Sequence, residues 1–170
     1  MTLSMYGASA PLFIQTLRGL SVELAKAEAF AKHRNLDEAV VLGLRTYPDM
    51  FPLSRQVEQT AVHAMRGMAS LSGKTAPVME GEDRTLADLK ARVDQAIDYV
   101  SAFVPEEIDG SENREVTLNS PRGAFNFTGE QFLVNVTIPN VMFHAATAYN
   151  LLRGLGIEIG KMDFVGRTTA

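Results

Sequence analysis

Apolar residues recur at spacings of three and four in three separate stretches of this chain. Only an α-helix turns that period into one continuous face. Over residues 11–34 the stripe is Phe13, Leu17, Leu20, Leu24, Ala27 and Ala31. A second runs through Leu53, Val57, Ala61, Ala64, Met68 and Leu71, and a third through Leu86, Leu89, Val93, Ala96, Ile97 and Val100. Helices with one apolar stripe must bury it against each other, so the pattern points to stacked helices around one core.

Turn-forming residues divide the stripes. Pro11 stands near the front of the first helix, either in its first turn or as a kink, and Asn35 and Asp37 end the pattern. Val40–Leu44 then has room for a short extra turn only. Pro48 stops what precedes it, Asp49 is the expected N-cap of the second helix, Pro52 suits its first turn, and Gly73 closes it. Residues 74–83 read as a loop. Thr85 followed by Asp88 forms a capping box for the third helix, which Pro105 stops. Between 106 and 128 the pattern changes to two short strands, Val116-Thr117-Leu118 and Ala124–Phe127, with Asn119–Gly123 as the turn. A last helical region runs from about Glu130 to Leu155, kinked or restarted at Pro139 and ended by Gly154 and Gly156. Ile157–Gly166 is expected to fold back as a loop or short strand. The expected fold is all-α: one domain over residues 1–170, an up-down four-helix bundle with a small β-hairpin inserted before the last helix.

Composition excludes several functions. A chain of 170 residues, 46% hydrophobic, can fill one core. Sixteen basic against twenty acidic residues give a net charge of -4, which argues against a nucleic-acid surface. Without cysteine there is no disulfide, thiolate metal site or cysteine nucleophile. No apolar run is long enough for a membrane span and the N-terminus lacks a signal-peptide pattern, so a cytoplasmic protein without membrane contact is expected.

Three histidines are the chemical candidates. His33 lies between Lys32 and Arg34 at the end of the first helix and reads as solvated surface. His63 belongs to a polar stripe with Gln56, Gln59, Arg66 and Ser70 that faces either solvent or a polar bundle interior, with solvent the expectation. His144 sits in an apolar helical segment, with Thr137, Asn140, Val141, Thr147, Ala148 and Leu151 on its face. It is either a core histidine satisfied by its neighbours or the wall of a pocket. There is no His-x-x-x-His pair, phosphate loop, dinucleotide fingerprint or nucleophile elbow.

Three segments carry a family resemblance. They are Asp49-Met50-Phe51-Pro52-Leu53 with Gln56-Val57, Pro139-Asn140 through His144 and Tyr149 to Leu152-Arg153, and Gly160-Lys161-Met162-Asp163-Phe164-Val165-Gly166. Together with the helix order they resemble the DinB/YfiT-like bundle superfamily, and within it a subfamily of unknown function. The resemblance implies a four-helix bundle, often dimeric, so a homodimer is expected. Characterised members of the superfamily include metal-dependent thiol S-transferases and a maleylpyruvate isomerase. Their metal is held by one histidine of the second helix and two on the last. Position by position, His144 falls on the later histidine of the last helix, Asn140 on the earlier one, and Gln56 near the second-helix ligand, with His63 two turns further on. The resemblance thus implies a degenerate metal site. If it is retained, Gln56, Asn140 and His144 would hold a weakly bound divalent transition metal (Zn, Ni or Fe); otherwise no cofactor is expected. The function expected is a small-molecule pocket around His144 as the catalytic candidate, bordered by Gln56, His63, Asn140, Thr147 and Tyr149. The alternative is a metal-dependent thiol transferase or isomerase acting on a small molecule. Tyr149, about 140° around the helix from His144, is expected to face a neighbouring helix. Gly160–Gly166 is expected to cap the bundle end, with Lys161 and Asp163 tied into backbone or ionic contacts.

Overall fold

The computed structural model describes residues 3–79, 81, 83–120 and 123–166. Helix α1 (Met5–Arg34) starts six residues ahead of Pro11, which therefore lies inside the helix. Pro11 removes the donor that would pair with the carbonyl of Gly7. Both residues are exposed, so water can serve that carbonyl and the helix continues. Ser4 caps it by accepting from the Gly7 N–H at 3.1 Å, and Asn35, in the left-handed region at φ 52°, ends it. The short α2 (Glu38–Leu42) is capped by Asp37. Helix α3 (Leu53–Ser72) begins after Pro52 rather than at an Asp49 cap, and ends at Gly73 with φ 74°. Helix α4 (Leu86–Ser101) has both bonds of the Thr85–Asp88 capping box.

One turn, α5 (Pro105–Ile108), leads to the hairpin of β1 (Glu115–Ser120) and β2 (Gly123–Thr128). The strands are antiparallel, with Val116 opposite Phe127 and Ser120 opposite Gly123. They use up most of the expected Asn119–Gly123 turn; the linking residues 121–122 lie outside the described residues. The last helical region is not continuous. A short α6 (Gly129–Phe132) passes through a π-helical turn, Leu133–Thr137, into α7 (Ile138–Gly154). No helix among the described residues is long and apolar enough to cross a membrane.

Four helices make the bundle. Helix α1 packs along α4 and α7, and α3 packs along the same two, so α1 faces α3 and α4 faces α7 across the core. The expected stripes meet inside: Phe13, Leu17 and Leu24, then Leu53, Val57 and Met68, then Leu89 and Val93, then Val141 and Leu152 are fully buried. Each buried leucine or phenylalanine contributes about 1.5–3 kcal/mol.

The C-terminal segment folds back as a helical turn, α8 (Lys161–Phe164), rather than as a loop or strand. It lies backbone-to-backbone on α1. A Cβ at Gly19 would meet the carbonyl oxygens of Asp163 and Phe164 at 2.7 Å, so only glycine allows that approach. Asp163 accepts from the Gly160 N–H at 2.8 Å and pairs at 2.6 Å with Lys26 of α1. Lys161, expected in backbone or ionic contacts, accepts at its carbonyl from the Val165 N–H at 2.9 Å and makes no ion pair among the described residues; Lys26 supplies the cation. Beneath this segment Glu23 is 1% exposed, and its Oε1 has no partner among the described residues. Burial, reinforced by the negative charge of Asp163 and opposed by Lys26, pushes its carboxyl up to about 8.

Candidate functional site: a buried imidazole held by Gln56

Pro139 has no N–H to donate, and a regular helix through it would crowd the carbonyl four residues earlier. The π-helical turn directly ahead of it widens the backbone there. Asn140 Nδ2 donates to the carbonyl of Val136 at 2.7 Å, so its amide serves its own helix. The turn also seats Thr137 on Gly67 of α3, where a Cβ would come within 2.4 Å of the threonine methyl. Helix α7 therefore enters the bundle hard against α3, and His144 comes to face Gln56 and His63.

His144 is 8% exposed, and its Nδ1 lies 2.7 Å from Gln56 Oε1. The Gln56 amide is itself oriented. Its Nε2 donates to the backbone carbonyl of Phe51 at 3.2 Å. A carbonyl can only accept, so the NH2 end must point there and the oxygen must face the imidazole. His144 then carries its proton on Nδ1, and the neutral ring presents a lone pair at Nε2. That atom has no protein partner among the described residues.

Three rings surround the imidazole. Phe51, 46% exposed, lies 6.3 Å away at 18°. His63 lies 5.5 Å away at 12°, and Phe143 meets the ring edge-on at 5.3 Å. His63 is thus half-buried against His144 instead of facing solvent. Burial, then Arg66, then His144 lower its pKa to about 4. Burial, then the charge of Arg55, lowers that of His144. Both shifts favour the neutral imidazole.

Of the residues named from sequence, Gln56, His63 and His144 come together. Asn140 is turned onto Val136, Thr147 donates to the Phe143 carbonyl at 2.7 Å, and Tyr149 packs edge-on against Phe164 of α8 at 5.6 Å. Sequence reasoning missed Phe51, Phe143 and Arg55 as neighbours of the site. Their signals were proximity in the chain to Gln56 and His144 and, for Phe51 and Phe143, a place in the segments that carry the family resemblance.

The donor set does not fit a three-ligand metal site. Gln56 Oε1 is occupied by the His144 Nδ1–H, and the Asn140 amide holds a carbonyl. No group of three His, Cys, Asp or Glu side chains converges among the described residues. Gln56 instead occupies the outer position that orients an imidazole.

The comparisons with known proteins agree with this fold. A family model described as "Domain of unknown function (DUF1993)" matches residues 5–165. The crystal structure of a DinB family member protein from Shewanella denitrificans, at 1.83 Å, is similar at 33% identity and a TM-score of 0.85. The alignment covers 97% of this chain and 93% of that one. No curated protein matches. The chain belongs to the DUF1993 family, a domain of unknown function with the DinB-like fold.

Proposed function

We propose that the chain carries a metal-free small-molecule site in which His144 Nε2 accepts a hydrogen bond or a proton from the bound molecule. The observation behind this reading is the orientation of Gln56: the Phe51 carbonyl fixes the amide, and the amide fixes the tautomer. A proton taken at Nε2 makes an imidazolium. Its Nδ1–H keeps the bond to Gln56 Oε1, which stabilises the new charge. Without that partner the two neutral tautomers would compete. Half-exposed Phe51 and exposed Phe143 supply apolar contact next to the ring.

The alternative, a metal-dependent thiol transferase or isomerase, needs two further ligands beside His144. The amides at positions 56 and 140 are engaged elsewhere, which favours the metal-free reading. The family resemblance further supports a homodimer, which sedimentation velocity tests.

Long-range 1H–15N correlation spectra at pH 7.5 test the assignment. The Nδ1–H tautomer is expected for His144 in the native chain, and a mixture in Gln56→Ala. A native ring protonated on Nε2 would sink the proposal.

A further inference from the structure

We propose that the molecule bound beside His144 carries a carboxylate, and that Arg55 binds it. This inference rests on the small-molecule site just described and names its substrate class. Arg55 precedes Gln56 on α3, and its guanidinium carbon lies 5.6 Å from the centre of the Phe51 ring. The same ring lies 6.3 Å from His144, so one half-exposed aromatic joins the cation to the imidazole.

The guanidinium is only partly used. Both oxygens of Glu58 contact the single nitrogen Nη1, at 2.6 and 2.7 Å. Nε–H and the Nη2 hydrogens have no acceptor among the described residues, and that edge is the one that takes a carboxylate through two parallel bonds. Arg55 also borders an open groove of about 320 Å3, but that groove is lined by Glu58 and Asp83 and reaches neither Phe51 nor His144, so the carboxylate is placed on the Arg55 edge beside Phe51 and not in the groove. A single guanidinium edge above an aromatic ring suits a planar, singly charged carboxylate better than a phosphate, which usually gathers several donors.

The test uses benzoate, its uncharged isostere benzamide, and inorganic phosphate, each titrated into the full chain. The readouts are the Arg55 Nε–H and His144 Cε1–H resonances. Benzoate is expected to shift both with millimolar affinity, while benzamide binds about tenfold more weakly or worse. Arg55→Gln, an exposed substitution, should weaken benzoate by a similar factor, and Arg55→Lys, which keeps the charge but loses the fork, should fall between. Equal binding of benzamide, unchanged binding to Arg55→Gln, phosphate binding at Arg55 in preference to benzoate, or no benzoate shift at tens of millimolar would each overturn the proposal. The two readings fail separately. A His144 ring protonated on Nε2 with benzoate still held by Arg55 removes only the acceptor role. The Nδ1–H tautomer with no benzoate response removes only the carboxylate.

Discussion

Glu23 offers the sharpest test of how the C-terminal segment is held on the bundle. Its carboxyl titrates near 4.5 when unfolded and is pushed up to about 8 in the fold. Below pH 4.5 it is neutral in both states and costs nothing. Between 4.5 and 8 the unfolded chain gives up a proton that the native chain keeps, so stability falls as pH rises, by about 1.4 kcal/mol per pH unit. Across the window the loss is of order 3–5 kcal/mol; above pH 8 it stays constant. Glu23→Gln keeps the shape and removes the proton equilibrium. Native chain and variant should therefore unfold within about 1 kcal/mol of each other at pH 4.5. By pH 8.5 the variant should be several kcal/mol more stable, a gap of roughly 10 °C at 2–4 °C per kcal/mol for a domain of this size. Urea denaturation and thermal melts across pH 4.5–9 measure it. Other titrating groups cancel in the difference between the two proteins. A gap of the same size at every pH would refute the reasoning.

Four further outcomes are expected. The His63 proton resonances should titrate near pH 4, with that ring destabilising the fold progressively as pH falls below its unfolded value of 6.5; a midpoint above 6 in a pH-series NMR spectrum would contradict its burial. Gly67→Ala should cost about 1–3 kcal/mol in urea, because the new methyl runs into Thr137. Asp163→Ala loses the Gly160 cap and the Lys26 pair and should lower the melting temperature by a few degrees, from about 1 kcal/mol of capping; an unchanged melt would remove its structural role. Protein purified without affinity tag or chelator should carry well under one equivalent of Zn, Ni or Fe, as should His144→Ala, whereas near-stoichiometric metal lost in the variant would revive the metalloenzyme reading.

Much of the fold was legible because the apolar stripes on α1, α3 and α4 allow only one face inward, and because Thr85, Gly73 and Asn35 have local geometries that few other residues match. Pro11 was misleading, since a proline marks a missing donor but not whether water replaces it. The site was half legible. Periodicity placed Gln56 and His63 on one stripe but gave their direction around the helix and not their depth. Whether a polar stripe faces water depends on what the opposing helix presents, and α7 presents His144. Asn140 could not be read at all. Its amide answers a carbonyl in a π-helical turn whose sole trace in the sequence is Pro139, a residue that suits a kink or a fresh start equally well.

That turn also makes chain length a variable in its own right. It contains one residue more than the regular helix would need, and each residue turns a helix by about 100°. Deleting one position from Leu133–Thr137 would remove that surplus and leave the flanking faces in register, whereas deleting one between Ile138 and Phe143 would swing everything ahead of it by more than a quarter turn relative to His144. Phe132, 2% exposed, would leave the core, and the hairpin would be carried to another side of the bundle. A one-residue gap in the regular part of α7 would therefore change the architecture more than the same gap in the π-helical turn, which can lose its surplus residue and keep the hairpin where it is.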